Sequence, residues 1–301
     1  MQPHQWLSSG QWFNFQSHKL FYVDSNPNNL HKPILLMVHG FPTSSYDWQK
    51  IWPQLTANFR CIAMDMLGFG YSDKPKNHRY SIHGQADLQE ELLYHLGITS
   101  AHLLAHDYGD TVAQELLARD NSREKKLFCS TCLLNGGLFP ETHQARLIQK
   151  LLISPIGPLI NRLVNYRQFC RSFSALFGPD TRPTRRELQE LWQIIQYNGG
   201  KYRFHKLINY MRERRKHRQR WIDALNQFQG PLQLINGSDD PVSGVHMVAR
   251  FRELIVRPAN IVELAGVGHY PHWEVPEMIT STYLQFLEAK TRDLTLSASL
   301  P

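Results

Sequence analysis

The residue with the clearest chemical potential is Asp107, which follows an apolar run and precedes a helical pattern in LLAHDYGDTVAQELL. A side chain held on a sharp turn between a buried strand and a helix needs small residues two positions to either side. Ala105 and Gly109 occupy those positions. The more common form of this turn carries a serine in GxSxG, a motif absent from this sequence. The turn therefore presents a carboxylate as the candidate nucleophile.

A carboxylate nucleophile implies a definite chemistry. Because the ordinary pKa of Asp is about 3.9, the side chain is ionised at neutral pH and can displace a leaving group from sp³ carbon without the help of a base. The product would be an alkyl ester of Asp107. A base-activated water must then break that ester to regenerate the enzyme, so the site also needs a histidine.

Two histidines in GVGHYPHWEVPE are candidates for this base. His269 follows the predicted strand NIVEL through a glycine-flanked turn, where its side chain can point back over the sheet. We favour it over His272, for which we expect a packing or capping role. A histidine base needs a carboxylate that fixes its tautomer and stabilises its cation. Asp239 and Asp240, in GSDDPV, are both candidates for that carboxylate.

The segment HGFP, at the end of the predicted strand ILLMVHG, supplies a further element. The backbone N–H groups of Phe41 and Tyr108 are predicted to form an oxyanion hole for the attack of water on the Asp107 ester. A simple Gly- and Pro-rich turn would look the same on its own. HGFP, HDYG, GSDDPV and GHYPHWE all follow predicted strands, however, and the last three have the order nucleophile, acid, base. Together they favour the catalytic interpretation.

The order of apolar segments predicts the scaffold. Short, nearly continuous apolar runs are typical of strands buried on both faces. They are ILLMVHG (34–40), CIAMDM (61–66), AHLLAHD (101–107), LFCSTCLLN (127–135), LQLING (232–237) and NIVEL (260–264), after an antiparallel hairpin over 11–24. Helical patterns over 81–97, 111–120, 243–255 and 277–290 alternate with them. The predicted fold class is therefore α/β, with a mainly parallel eight-stranded sheet flanked by helices.

The alternation stops between residues 141 and 228, a stretch dense in Leu, Arg, Trp and Tyr. This pattern predicts several helices without a strand, inserted as a cap. We therefore expect a core domain formed by 1–140 and 229–301 and a helical cap domain formed by 141–228.

Composition limits the remaining possibilities. A chain of 301 residues can bury a large core, and no run of about 18 apolar residues predicts a membrane span. The first residues lack a secretion signal, and four cysteines are too few to stabilise a chain of this length through disulfide bonds. We therefore expect free thiols in a cytoplasmic protein. Without a Gly-rich phosphate loop or a cluster of metal ligands, we expect no organic cofactor and no metal.

The net charge is +7 and the isoelectric point is about 9.2. Much of the excess comes from RERRKHRQR, residues 212–220. A solvated helix face explains such a run, and a surface that docks an acidic partner or nucleic acid is the alternative. We expect a small-molecule substrate and no nucleic acid.

Over its full length, the chain resembles the α/β-hydrolase superfamily, in particular the branch with aspartate nucleophiles that contains epoxide hydrolases, haloalkane dehalogenases and haloacetate dehalogenases. Within it, the chain looks most like the mesoderm-specific transcript protein family. The segments that carry this closer resemblance are HGFPTSSYDW, LGFGYSDKP, HDYGDTVAQELL, NGGLFPETH and FGPDTRP. The resemblance implies Asp107 as nucleophile, His269 as base and Asp240, three residues after Gly237, as the acid that orients the histidine.

The resemblance also implies acids in the cap. Epoxide hydrolases share HGFP and use two cap tyrosines, whose hydroxyls donate a hydrogen bond to the developing alkoxide. Tyr210 stands where the second is expected. Tyr166 is a candidate for the first, with Tyr197 and Tyr202 as alternatives, and ordinary packing explains each of them equally well.

The residue after the nucleophile separates the branches. Haloalkane dehalogenases and epoxide hydrolases commonly have Trp there and haloacetate dehalogenases have Arg, whereas this chain has Tyr108.

Our leading hypothesis is an epoxide hydrolase-like enzyme for a small, mostly apolar substrate. Haloalkane dehalogenation by the same nucleophile is the first alternative. The second is a binding protein on a hydrolase scaffold that uses the basic 212–220 run.

Overall fold

A computed structural model describes residues 1–28 and 31–298, with side chains described as far as residue 289. The strands are β1 (Gly10–Phe15), β2 (His18–Asp24), β3 (Ile34–Val38), β4 (Arg60–Met64), β5 (Ala101–His106), β6 (Phe128–Leu134), β7 (Leu232–Gly237) and β8 (Asn260–Leu264). In this part of the chain they form one eight-stranded sheet in the order β1-β2-β4-β3-β5-β6-β7-β8. β1 with β2 and β2 with β4 pair antiparallel, and the other neighbours pair parallel.

The predicted fold class is confirmed, because every apolar run forms a strand and the sheet is mainly parallel. The hairpin predicted over residues 11–24 is formed by β1 and β2. All residues of β4 and β7 are buried, as a strand covered on both faces requires.

Helices connect the strands. They are α1 (Pro3–Ser9), α2 (Trp52–Asn58), α3 (Ile82–His95), α4 (Tyr108–Asp120), α5 (Leu147–Leu152), α6 (Gly157–Leu163), α7 (Tyr166–Ser174), α8 (Arg185–Gln196), α9 (Phe204–Leu207), α10 (Tyr210–Lys216), α11 (Arg218–Gln227), α12 (Val245–Leu254), α13 (Pro271–Glu274) and α14 (Pro276–Ala298), with 3₁₀ helices at Ser45–Lys50 and Tyr197–Arg203. The four predicted helices correspond to α3, α4, α12 and α14, although α14 runs beyond its predicted end at Lys290. Sequence analysis missed α1 and α2, because seven residues hold too few turns for a helical period to stand out.

Helices alone fill the connection between β6 and β7. Residues 135–231 are all described, and they contain α5 to α11 and the second 3₁₀ helix without a strand. Side chains from this segment, such as Phe169 and Trp221, belong to the same hydrophobic core as the sheet. In addition, α11 packs against α4. The helical segment is thus joined to the rest of the chain by a continuous apolar interior.

The carboxyl ends of four neighbouring parallel strands bring the sequence motifs together. Asp107 follows β5, Asn135 follows β6, Asp240 lies just beyond β7 and His269 lies just beyond β8. In open parallel sheets, ligands bind at this edge.

Two of the expectations drawn from composition concern the state of the cysteines and the presence of membrane-spanning helices. Cys61, Cys129, Cys132 and Cys170 are free thiols. Among the residues described, no helix is both long enough and apolar enough to cross a membrane.

Gly109 provides a test of how tightly α4 fits under the sheet. A Cβ atom at this position would lie 2.1 Å from the backbone oxygen of Val38, and that backbone cannot move without shifting β3. We expect Gly109→Ala to lower the free energy of unfolding by about 3 kcal/mol or more, measured by urea denaturation.

The matched control is Gly97→Ala. Gly97 has no atom within 4 Å of its Cβ position but has a φ of +68°, so the control should lose only about 1 kcal/mol. Equal losses in the two variants would contradict the steric explanation.

Candidate active site

Asp107 occupies a strained turn between β5 and α4. Its φ of 50° and ψ of −106° form a backbone conformation that residues other than glycine rarely adopt. The turn is held by the Asp107 N–H, which donates to the Leu134 carbonyl at 3.2 Å. On the side chain, Oδ2 accepts a hydrogen bond from the Phe41 N–H at 3.0 Å. One carboxylate oxygen is therefore fixed by the HGFP segment, which leaves the other for chemistry.

His269 and Asp240 form a close pair beside Asp107. The distance from His269 Nδ1 to Asp240 Oδ2 is 2.7 Å. Asp240 is itself held in place, because its carboxylate also accepts from Asn135 Nδ2 at 2.9 Å, from the Ser243 hydroxyl at 2.8 Å and from the Val242 N–H at 2.7 Å. The carboxylate therefore fixes the imidazole so that Nε2 faces Asp107.

The structure separates the residues that the sequence left open. Asp239 is exposed and accepts a hydrogen bond from the Gly266 N–H at 3.2 Å, away from the imidazole. His272 is buried against the rings of Trp48 and His106, at centroid distances of 4.6 and 4.5 Å. Geometry thus brings His269 and Asp240 to Asp107, and it leaves Asp239 and His272 outside this group.

The second oxygen of Asp107 has no close donor. Asp107 Oδ1 lies 3.8 Å from His269 Nε2 and 3.9 Å from Arg214 Nη2. Both distances exceed an ordinary hydrogen bond, so the lone pairs of Oδ1 stay available while two cations neutralise its charge.

These charges shift the pKa values of the site. Burial opposes the imidazolium, but the carboxylates of Asp240 and Asp107 outweigh it and raise the pKa of His269 to about 10. Burial by itself would raise the pKa of Asp107, yet the nearby imidazolium of His269, followed by the charge of Arg214, holds it below its ordinary value. At neutral pH the resting site therefore contains an ionised Asp107 and a protonated His269.

Arg214 is the site residue that sequence analysis missed. It is buried, and its Nη2 donates to the Asp107 backbone carbonyl at 3.2 Å while its Nε donates to the Thr111 hydroxyl at 2.7 Å. Its guanidinium also lies over the Tyr210 ring, 4.5 Å from the centroid. The only signal in the sequence was its place within the basic run, where it could not be told apart from its exposed neighbours.

Several other cations of the basic run have partners within the fold. Arg218 forms an ion pair with Glu141, and Arg220 forms one with Glu115 at 2.9 Å. Arg212 donates to the Ile153 carbonyl at 2.9 Å. The prediction of a solvated helix face agrees with the exposure of Arg212, Arg215, Lys216 and Arg220, and among the cations of the run only Arg214 is buried.

The two predicted oxyanion donors stand on either side of the nucleophile. The Phe41 N–H already binds Asp107 Oδ2, and Tyr108 begins α4 directly after Asp107. The Tyr108 ring is buried between Phe69 and Tyr210, at centroid distances of 5.5 and 5.0 Å. Tyr108 thus fills the floor of the site with its ring.

The candidate cap tyrosines occupy different environments. Tyr210 is buried, its ring centroid lies 6.2 Å from that of Phe41, and burial and the charge of Asp107 both raise its pKa. Tyr166 instead donates to the Arg185 carbonyl at 3.4 Å in an exposed hydrogen bond. Tyr197 and Tyr202 are 37% and 44% exposed. The Tyr166 hydroxyl lies on the outer surface, which contradicts its prediction as an acid at Asp107, and of the four tyrosines Tyr210 is the one whose pKa the charge of Asp107 raises.

A cavity of about 740 Å³ connects the site with the helical segment. Asp107, His269 and Phe41 lie at its inner end, and most of its remaining wall comes from α5, α6 and α7. The side chains of that wall are largely apolar, for example Leu152, Ile160 and Phe173. The cavity therefore has room for a small apolar molecule with its reacting carbon next to Asp107.

Comparison with known proteins agrees with this arrangement. The family described as "alpha/beta hydrolase fold" matches residues 33–276. The chain is a member of the α/β-hydrolase family. It also belongs with the mesoderm-specific transcript proteins, since it is 43% identical to the Bos taurus homologue over 294 residues, which are 95% of this chain and 88% of that protein.

More distant relatives of this hydrolase have names that describe an activity. "Epoxide hydrolase 1" of Caenorhabditis elegans is 21% identical over 294 residues, covering 92% of this chain and 70% of that protein. The crystal structure of a haloalkane dehalogenase DbeA loop variant from Bradyrhizobium elkanii superposes with a TM-score of 0.79 at 22% identity, covering 95% of this chain and 99% of that one. At this identity the structural likeness shows the shared fold.

A group of buried polar side chains lies next to His269 of this hydrolase. Ligand atoms of Asp47, His106 and His272 lie within 4.8 Å of one another, and His106 Nε2 lies 2.8 Å from the His269 carbonyl oxygen. By residue type this group could hold a cation. Burial, however, raises the pKa of Asp47 and lowers those of His106 and His272, so it favours the neutral form of each. Within the described part of the chain, His106 Nε2 supports the His269 backbone, whereas Asp47 Oδ1, His106 Nδ1 and both ring nitrogens of His272 have no hydrogen-bond partner.

The raised pKa of His269 predicts a pH-dependent contribution to stability. Because the pKa rises from 6.5 to about 10 on folding, the stabilisation is complete below pH 6.5 and is lost as the pH rises toward 10. We expect the difference in unfolding free energy between the wild type and His269→Gln to shrink over this range, measured by urea denaturation at pH 6, 8 and 10. A difference that stays constant or grows with pH would contradict an imidazolium in the resting site.

Proposed function

We propose that this α/β hydrolase is an epoxide hydrolase-like enzyme that opens a small, mostly apolar epoxide through a covalent ester of Asp107. The observation that carries the proposal is the setting of the carboxylate. Oδ2 is fixed by the Phe41 N–H at 3.0 Å, whereas the cationic nitrogens of His269 and Arg214 lie 3.8 and 3.9 Å from Oδ1, and the residue lines the cavity. A carboxylate in this position is oriented and ionised before substrate arrives.

In the first step, Asp107 Oδ1 attacks one carbon of the epoxide and the C–O bond of the ring breaks, which leaves an alkoxide. The alkoxide takes a proton from the Tyr210 hydroxyl, whose raised pKa keeps it protonated at rest. His269, protonated in the resting site, returns a proton to Tyr210. The products of this step are a neutral ester at Asp107, a free alcohol and a neutral imidazole.

Formation of the ester makes His269 able to act as the base of the second step. The Asp107 carboxylate is one of the two charges that raise the pKa of His269, and it loses its charge when it is alkylated. The imidazole can then take a proton from a water molecule that attacks the ester carbonyl. Collapse of the intermediate releases the diol, and it restores the ionised Asp107 and the protonated His269 of the resting site.

The oxygen held by Phe41 explains how the second step is stabilised. Oδ2 becomes the carbonyl oxygen of the ester, and it carries the negative charge once water has added. We assign the Phe41 and Tyr108 N–H groups as its donors, and the first of these already lies 3.0 Å from Oδ2.

We assign residues 141–228 as the cap of this site. Helices α5, α6 and α7 belong to this segment, and they supply most of the cavity wall facing Asp107. A cap of this kind excludes bulk water and leaves the ester to the water that His269 activates.

Two observations favour an epoxide over a haloalkane. A departing halide needs N–H donors, and no tryptophan occurs among the described residues that line the cavity. An epoxide needs a proton instead, and the buried Tyr210 ring lies 6.2 Å from that of Phe41, whose N–H binds Asp107. The pairing of Arg214, Arg218 and Arg220 with carboxylates weakens the alternative of a binding protein that docks through the basic run.

Trapping of the ester tests the proposed chemistry. His269→Gln removes the base of the second step, so the variant should accumulate the ester when incubated with a panel of small epoxides and haloalkanes. Intact-protein mass spectrometry identifies the product. A gain equal to the whole epoxide supports ring opening, whereas a gain equal to the haloalkane minus hydrogen halide supports dehalogenation.

The double variant His269→Gln/Asp107→Ala is the control for this measurement. It must show no adduct, because it lacks the carboxylate that forms the ester. An adduct that persists in the double variant, or the absence of an adduct with every compound in the single variant, would overturn the assignment of Asp107 as nucleophile for these substrates.

Tyr210→Phe tests the source of the proton. We expect it to slow adduct formation from an epoxide by about a hundredfold in the His269→Gln background, because a positioned general acid contributes at least this much. The rate is measured by mass spectrometry at successive times, with the exposed Tyr166→Phe as a matched control. An unchanged rate in Tyr210→Phe would remove this residue from the mechanism.

A further inference from the structure

The hairpin of α5 and α6 carries an unusual set of exposed aliphatic side chains. Leu147, Ile156, Leu159 and Leu163 are 73%, 53%, 58% and 60% exposed. Ile156, Leu159 and Leu163 follow one another at spacings of three and four, so they lie on one face of the helix. Exposed apolar groups that cluster on a soluble fold mark a surface for interaction.

This surface is also the mouth of the active-site cavity. Leu147 and Leu163 line the cavity and are at the same time largely exposed. The apolar wall of the cavity thus continues outward onto the apolar face of the hairpin, without a polar rim at these two positions.

The positive charge of the protein is concentrated around the same helices. Residues 142–186 contain one acidic residue, Asp180, and eight Lys or Arg residues, which gives this segment a net charge of +7. The whole chain also has a net charge of +7, so the remaining residues sum to zero. The eight cations are Arg146, Lys150, Arg162, Arg167, Arg171, Arg182, Arg185 and Arg186.

Most of these cations have no acidic partner within the fold. Among the side chains that the structure describes, only Arg186 of this group forms an ion pair with a carboxylate, that of Glu190 at 3.0 Å. This contrasts with the 212–220 run, where Arg214, Arg218 and Arg220 are paired. A group of unpaired cations around an apolar face is complementary to a surface that is both anionic and apolar.

We propose that the α5–α6 hairpin docks onto the surface of an anionic lipid bilayer, so that the cavity opens toward the lipid. The aliphatic side chains enter the region between headgroups and acyl chains, and the surrounding arginines bind lipid phosphates. An apolar substrate dissolved in the bilayer then reaches Asp107 without crossing water. An acidic protein would satisfy the charges, but it would not explain why the apolar face is continuous with the wall of the cavity.

Vesicle co-sedimentation tests this docking without depending on turnover. The wild-type protein is mixed with vesicles of phosphatidylcholine alone, or of phosphatidylcholine with phosphatidylglycerol, at low and high salt. We expect binding to the mixed vesicles, little binding to the neutral ones, and a marked loss of binding at high salt. Equal binding to both kinds of vesicle, or binding to neither, would overturn the proposal, as would binding to a soluble polyanion such as heparin but not to vesicles.

Matched variants locate the surface. Ile156→Glu/Leu159→Glu should weaken binding to mixed vesicles at least about tenfold, because it places charges in the apolar face, and Arg162→Glu/Arg167→Glu should weaken it by a similar factor. Val256→Glu, at a residue that is 85% exposed and lies outside the hairpin, is the control and should bind as the wild type does.

Because none of these residues lines the active-site cavity, turnover of a water-soluble substrate should stay unchanged in all three variants. Wild-type vesicle binding by both double variants would refute the assignment of this surface.

Discussion

The constraint on which the rest of the site depends is the burial of an ionised carboxylate. Removing such a group from water is unfavourable by several kcal/mol unless other groups compensate its charge. Asp107 has compensation from three parts of the fold: the Phe41 N–H after β3, His269 after β8 and Arg214 in α10. The backbone of Asp107 is strained as well, with a φ of 50°. The parallel sheet and the tight contact of α4 with β3 hold this residue in a conformation that it would not adopt by itself.

The same groups give the site a charge balance that changes during the proposed reaction. In the resting state, two carboxylates surround one imidazolium, and Asp240 is further held by Asn135 and Ser243. Esterification removes one negative charge, so the histidine becomes a base when the intermediate forms and not before. A site that contained only Asp240 and His269 would lack this timing, since nothing near the imidazole would change its charge.

Much of the fold could be predicted from the sequence, because each parallel strand is a short apolar run and each motif follows such a run. The positions of Asp107 and His269 follow from that rule, whereas the choice of Asp240 over Asp239 depended on the family resemblance. The supporting groups could not be predicted in the same way. Asn135 reaches Asp240 only because β6 and β7 are neighbours in the sheet, and Ser243 does so through the fold of the loop after β7. Arg214 reaches Asp107 only through the packing of α10. Tyr166 shows the limit of matching a residue to a family pattern, because the packing of α7 decides whether a hydroxyl faces the cavity or the solvent.

Arg214 also bears on how enzymes of this architecture can be recombined. The helical segment between β6 and β7 supplies most of the cavity wall, while the ends of β5, β7 and β8 lead to Asp107, Asp240 and His269. Here a residue of that segment donates to the backbone carbonyl of Asp107 and helps to keep its carboxylate ionised. A chimera that exchanged this segment for that of another hydrolase would therefore alter the acidity of Asp107 along with the shape of the pocket. The same helices determine the form of the cavity and the charge of the carboxylate at its inner end.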